Sequence, residues 1–191
     1  MKLRNLLFVG TLLAASLTAS PITYLAYLDG ASESPSNASP ATGFALVTID
    51  DVANTLEVNV TFSGLVGTTT ASHIHCCTAD PLTGTAGVAT QTPFFVGFPI
   101  GVTSGTYDHI FDLTLASTYN GAFVTANGGT AAGAEAALAA GMADGKAYLN
   151  IHTTFRPGGE IRGFLVPEPA TLGLVGLALG GLILGRRRRV S

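Results

Sequence analysis

The fold class follows from residues 56–63, LEVNVTFS, in which apolar and polar residues alternate without interruption. Successive side chains of a β-strand point to opposite faces, so the four apolar residues of this stretch share one buried face. The preceding residues 50–54, DDVAN, are rich in the Asp and Asn that favour turns. Residues 43–62 are therefore predicted to form a β-hairpin.

Similar patterns predict further short strands, at residues 23–29, 70–75, 106–114, 147–153 and 160–166. One helix is expected over residues 131–142, because alanine is the best helix former and Asp144-Gly145 ends the run. The stretches 32–40 and 82–101, which are rich in Gly, Pro, Ser and Thr, are predicted to be loops or edge strands. The expected fold is all-β: a two-sheet antiparallel sandwich or small barrel with one short Ala-rich helix.

Composition supports one such domain and argues against a nucleic-acid partner. The chain has 191 residues, of which 47% are hydrophobic and 11% charged, with 24 glycines and no tryptophan. Residues 21–165 contain 11 acidic residues but only three basic ones, Lys146, Arg156 and Arg162. Binding to phosphates requires a basic face, which this domain lacks.

The N-terminus has the pattern of a secretory signal peptide over residues 1–20. Lys2 and Arg4 form a charged head, residues 6–17 are apolar, and Thr18-Ala19-Ser20 supplies small residues for cleavage. This pattern predicts export from the cytoplasm.

The C-terminal tail, residues 166–191, has three features in a fixed order. Pro167, Glu168 and Pro169 come first, and sixteen apolar or small residues follow at 170–185. The tail ends with a basic cluster formed by Arg186, Arg187, Arg188 and Arg189. A helix over 170–185 would be about 24 Å long, slightly short of a bilayer core of about 30 Å. The arginines would stay cytoplasmic and leave residues 21–165 outside.

This tail resembles the PEP-CTERM sorting signal of Gram-negative bacteria. The resemblance implies recognition by an exosortase-type membrane peptidase, which removes the tail after a transient stay in the inner membrane. The protein would then reach the cell surface or extracellular matrix. The alternative is a plain transmembrane anchor that is never cut, which changes the fate of the domain and not its orientation.

The central residues 21–165 resemble the CHRD domain, an extracellular module of chordin and of bacterial secreted proteins. The resemblance rests on residues 28–35, 71–75, 147–153 and 157–163. It implies an all-β extracellular fold and does not imply catalysis.

Three of the four histidines are candidates for a common site. His73 and His75 are two residues apart, so on a strand they share a face, and His152 shares a face with Tyr148 and Asn150. Imidazoles that converge from two strands are what a copper or zinc site requires. A weaker likeness to the copper-zinc superoxide dismutases rests on the same three histidines, without an evident bridging histidine or zinc-binding aspartate cluster.

The alternative is that these histidines are partly buried polar residues that form hydrogen bonds between strands and to Glu160 or Arg162. Glu160 and Arg162 are two residues apart and share a strand face, which also predicts an ion pair across to a neighbouring strand. Cys76 and Cys77, directly after His75, are adjacent in the chain. Outside the cytoplasm they are expected to form a vicinal disulfide or an intermolecular bridge, with thiolate ligation of a metal as the alternative.

The leading hypothesis is a non-enzymatic, exported protein of the cell surface or extracellular matrix with a structural or adhesive role. Matrix polysaccharide or surface proteins are its expected partners, and no cofactor is required. No catalytic triad, nucleophile elbow or phosphate-binding glycine loop is evident in the sequence. The alternative is a β-sandwich module, with or without redox activity, that binds copper or zinc through His73, His75 and His152.

Overall fold

The computed structural model describes residues 21–168. It contains two α-helices, α1 (Gly121–Ala126) and α2 (Ala131–Ala143), and a 3-10 turn at Ala116–Thr118. Its eight strands are β1 (Ile22–Asp29), β2 (Thr42–Asp50), β3 (Thr55–Ser63), β4 (Thr69–His75), β5 (Gly105–Asp112), β6 (Tyr148–Thr153), β7 (Ile161–Phe164) and β8 (Val166–Pro167). The predicted signal peptide, Pro169, the hydrophobic segment 170–185 and the terminal arginines lie outside the described residues.

All eight strands belong to one antiparallel sheet with the order β4-β6-β7-β1-β2-β3-β5, and β8 pairs with β1. The sheet curls into a half-barrel. The all-β prediction is thus confirmed. Of the two predicted architectures, the single curled sheet is not the two-sheet sandwich and is closer to the small barrel. Alternation along a strand shows that one face is buried, but it does not show which part of the chain covers that face.

The inner face of the sheet is covered by the helices and by the loops between strands. A single cluster of buried hydrophobic residues includes Val58 and Val60 from β3, Phe95 from the loop before β5, and Leu138 and Met142 from α2. The curl brings strands that are distant in the sheet order around the same core. A second sheet is therefore not needed to remove the apolar face from water.

The predicted hairpin is formed by β2 and β3. Ala45 pairs with Val60 and Val47 with Val58, so the apolar residues of both strands lie opposite each other. The Asp50 carboxylate accepts hydrogen bonds from the backbone N–H groups of Val52 and Ala53, which closes the turn.

The predicted helix is confirmed as α2 and extends one residue further than expected. Its N-cap is Thr130, whose hydroxyl accepts a hydrogen bond from the Gly133 N–H. Helix α1 is not predicted by the sequence pattern. This helix has only six residues, includes Val124 and Thr125, and begins at an Asn120 cap, so its helical periodicity is too short to be recognised.

Cys76 and Cys77 form a disulfide with each other directly after β4. This disulfide packs against α2 at Gly141, where an added Cβ atom would overlap both sulfur atoms. Gly141 therefore permits the close approach of α2 to the end of β4.

We expect Gly141→Ala to lower the free energy of unfolding by about 1–3 kcal/mol, because an extra methyl group in a packed contact forces neighbouring atoms apart. Gly121→Ala in α1 is the matched control, because no atom lies within 4 Å of its added Cβ. The control should be neutral or slightly stabilising. Urea unfolding of the two variants measures the difference, and equal stabilities would contradict the packing role of Gly141.

Candidate metal centre

His73, His75 and His152 meet on one face of the paired strands β4 and β6. In the register of this pair, His73 lies opposite Asn150, His75 opposite Tyr148, and Ala71 opposite His152. One ring nitrogen of each histidine lies within 4.8 Å of those of the other two. The centroids of the three rings are 5.2–5.8 Å apart. The structure thus brings together the three histidines that strand periodicity predicts to share a site.

One nitrogen of each imidazole is held by a backbone carbonyl, two of them in the loop between β4 and β5 and one in the loop between β6 and β7. His73 Nε2 donates to the Pro93 carbonyl at 2.6 Å, and His75 Nδ1 donates to the Ala86 carbonyl at 2.9 Å. His152 Nδ1 donates to the Pro157 carbonyl at 2.9 Å. A carbonyl oxygen can only accept, so each of these nitrogens carries the proton.

The remaining nitrogens, His73 Nδ1, His75 Nε2 and His152 Nε2, therefore have free lone pairs. They are buried and have no hydrogen-bond partner among the described residues. The interpretation that these histidines form hydrogen bonds to Glu160 or Arg162 is wrong, because their partners are backbone carbonyls. The alternation of a strand predicts the shared face, but it cannot predict which loop covers that face.

Burial keeps all three imidazoles neutral at physiological pH. It lowers the pKa of His73 and of His152, and it lowers the pKa of His75 to about 4. Electrostatic repulsion from the neighbouring rings adds to the lowering for His73 and His75. Neutral imidazole is the form that binds a metal ion, so the cluster is already in its ligating state.

A second layer of residues supports the cluster. The Tyr148 ring stacks on His75 with ring centroids 4.8 Å apart, and its hydroxyl contacts the backbone of Ala86. The Arg162 guanidinium lies 4.7 Å from the centroid of the Tyr148 ring. Arg162 is buried and lies 3.9 Å from the carboxylate of Glu33. Glu33 was not recognised as part of the site, because it lies in a turn without any periodic pattern.

The ion pair therefore links Arg162 to Glu33 in the loop after β1 and does not involve Glu160. Among the described residues, no cation pairs with Glu160. Its carboxylate accepts hydrogen bonds from four groups, namely the hydroxyls of Ser39 and Thr153 and the backbone N–H groups of Val66 and Gly67. Glu160 thus ties two loops to the end of β6. The spacing of Glu160 and Arg162 in the sequence does not show that one accepts hydrogen bonds from loops and the other forms an ion pair.

The remaining candidates lie away from the three free nitrogens or lack a free ligand atom. His109 is on β5, at the opposite edge of the sheet from β4, and packs against Phe111. The sulfurs of Cys76 and Cys77 are bonded to each other, so neither is a thiolate ligand. The candidate centre therefore consists of three histidines in the part of the chain that the structure describes.

Comparison with known families places this centre inside one domain. Residues 24–165 match the CHRD domain family. The chain belongs to this family. All three histidines, together with Glu33, Asn150 and Arg162, lie within the matched CHRD residues. Neither a curated protein nor a solved structure matches the chain. The likeness to the copper-zinc dismutases therefore rests on the histidine arrangement alone.

Residues 165–189 match the PEP-CTERM protein-sorting motif. The resemblance found from Pro167, Glu168 and Pro169 is thus confirmed, and it indicates an exported protein that is processed by an exosortase. In the described part of the motif, Val166 and Pro167 pair with β1 as β8. Within residues 21–168, neither helix has the length and apolar character needed to span a bilayer.

The burial of neutral histidines predicts that the metal-free protein is destabilised by acid. Unfolded histidine binds a proton near pH 6.5, whereas folded His75 binds it only near pH 4. Stability is therefore lost as the pH falls from 6.5 to 4, by about 3 kcal/mol for His75. We expect His75→Gln to remove this contribution, as measured by urea unfolding at successive pH values with a chelator present.

The buried Glu33 carboxyl changes the pH dependence of stability in the opposite direction, over a similar range of pH. Burial raises its pKa to about 7 from 4.5, so its contribution to stability is lost as the pH rises between these values. The comparison of wild type with His75→Gln cancels this effect, because Glu33 is present in both proteins. Identical pH slopes for the two proteins would show that folded His75 titrates normally.

Proposed function

We propose that this CHRD domain binds one copper or zinc ion through His73, His75 and His152. The observation that carries the proposal is that ring nitrogens of all three histidines lie within 4.8 Å of one another and that each ring has one buried nitrogen without a partner. A backbone carbonyl fixes the tautomer and orientation of each ring, as is usual for the outer shell of metal-binding histidines.

The distances fit a metal ion after a small adjustment. Imidazole nitrogens at about 2.0–2.1 Å from a tetrahedral zinc ion are roughly 3.4 Å from one another. The present separations of up to 4.8 Å require only modest rotation of the side chains. Imidazole suits both copper and zinc, and Cu(II) is expected to bind more tightly at equal availability. Three protein ligands leave a coordination position for an exchangeable ligand.

The sorting motif supports a location for this centre outside the cytoplasm. In our proposal, the tail holds the precursor transiently in the inner membrane with the CHRD domain on the outer side. An exosortase-type peptidase then removes the tail, and the domain passes to the cell surface or extracellular matrix. The centre would therefore meet extracytoplasmic metal ions.

The non-enzymatic structural or adhesive role, with matrix polysaccharide or surface proteins as partners, stays a prediction of the sequence. Metal binding is compatible with that role, because a bound ion can stabilise the domain by binding only its folded state. We assign no reaction to the centre.

We expect the full chain to bind about one copper or zinc ion, as measured by elemental analysis of the purified protein and by competition with a chelator of known affinity. His73→Ala and His152→Ala should each weaken binding at least tenfold, since each removes one of three ligands. His109→Ala is the matched control and should bind like wild type. Equal affinities for all four proteins, or no bound metal in any of them, would contradict the proposal.

For the tail, we expect replacement of Pro167, Glu168 and Pro169 by alanine to leave an uncut precursor in the inner membrane of a Gram-negative host with an exosortase. The reason is that the peptidase loses its recognition motif. Asp108→Ala, which changes an exposed acidic residue on β5, serves as the control. Immunoblots of membrane and surface fractions measure the outcome, and unchanged processing of the tail variant would show that another feature directs sorting.

A further inference from the structure

Four buried side-chain polar atoms on one face of β4 and β6 have no hydrogen-bond partner, and three of them are the free nitrogens of the three histidines. The fourth is Oδ1 of Asn150. Among the described residues, the only other buried side-chain oxygen or nitrogen of this kind belongs to Glu135 on α2. Nearly all buried polar groups in folded proteins form a hydrogen bond, so Asn150 Oδ1 requires an explanation of its own.

Asn150 lies at the centre of the histidine cluster in the register of the sheet. It is directly opposite His73 and two residues before His152, on the same strand face. The residue is only 3% exposed. Its side chain is therefore placed beside the proposed ligands and away from bulk water.

The orientation of the Asn150 amide is fixed by the second layer. Its Nδ2 donates a hydrogen bond of 2.9 Å to Glu33 Oε1. Glu33 is itself buried and held near Arg162. The amide thus presents Nδ2 to Glu33 and leaves Oδ1 as an acceptor.

Gly159 closes the other side of this amide. It has a φ of +131°, and a Cβ atom added there would overlap the Asn150 amide and the Glu33 carboxylate. The backbone thus packs directly onto the side chain of Asn150 and restricts its rotamers. The position of Oδ1 is consequently set before any ligand binds.

We propose that Asn150 Oδ1 accepts a hydrogen bond from a water molecule that occupies the fourth coordination position of the metal ion. This inference rests on the proposed metal-binding function. It makes Asn150 a positioning residue, because it acts on the exchangeable ligand and does not bind the metal. The centre should accordingly favour ligands that carry an O–H or N–H group over anions that have no proton to donate.

The test uses the full chain loaded with Cu(II), and azide serves as the aprotic probe. We expect the copper form to accelerate the relaxation of bulk water protons, because its fourth ligand exchanges, and azide should abolish this effect. Asn150→Leu, of similar size, removes the acceptor, so bound water loses its hydrogen bond. Azide should then bind about threefold to tenfold more tightly, corresponding to the loss of one hydrogen bond.

Two controls separate this effect from general damage to the site. The copper affinity of Asn150→Leu should fall by no more than about tenfold, because the three ligands remain and only the hydrogen bond to the bound water is lost. Asn59→Leu changes an asparagine on β3 that donates to Glu57, and it should leave azide binding unchanged. Azide affinity that is equal or weaker in Asn150→Leu, or a wild-type copper form without exchangeable water, would overturn the inference. The latter result would indicate direct ligation by Oδ1.

A second measurement needs no variant and remains informative if Asn150→Leu does not fold. In the Zn(II)-loaded wild type, the Asn150 side-chain 13C carbonyl resonance should shift when azide displaces the water, while that of Asn59 stays in place. An unchanged Asn150 resonance at saturating azide would count against the hydrogen bond. Complete absence of metal binding would instead refute the proposed function, so the two failures are distinguishable.

Discussion

The pairing of β4 with β6 is the constraint on which the candidate site depends. It places a His-x-His strand beside a strand that carries a third histidine, so that the three rings share a face. A shift of one residue in this register would move His152 to the opposite face. Two further contacts fix the position of β6. It also pairs with β7, and the Thr153 hydroxyl at its end donates a hydrogen bond to the Glu160 carboxylate.

The polar cluster is retained in the interior because most of its groups are satisfied locally. Three backbone carbonyls bind the ring N–H groups, and Arg162 is held by Glu33 and by carbonyl oxygens of Ser32 and Gly84. Four acceptors remain unpaired, and the residues that carry them lie on one face of β4 and β6. A domain that only needed a stable sheet could fill these positions with apolar residues, so the arrangement favours a bound cation.

The loops contribute as much to this arrangement as the strands do. The carbonyls of Ala86 and Pro93 come from the connection between β4 and β5, and that of Pro157 comes from the connection between β6 and β7. The disulfide of Cys76 and Cys77 lies where the first of these connections leaves β4 and packs on α2. The site thus consists of a rigid pair of strands whose side chains are oriented by loops. Functional sites commonly combine a rigid scaffold with loops in this way.

The sequence by itself determined the all-β class, the β2–β3 hairpin, helix α2 and the CHRD family. It also determined that His73 and His75 lie on the same face of a strand. All of these depend on local periodicity or on contiguous motifs. Only the tertiary structure decided that the sheet is single and curled, that Arg162 pairs with Glu33, and that the Asn150 amide bonds to Glu33 and leaves its Oδ1 without a partner. Those features require contacts between residues far apart in the chain. Periodicity identifies which face of a strand is buried, but the partner of that face is set by how the whole chain packs.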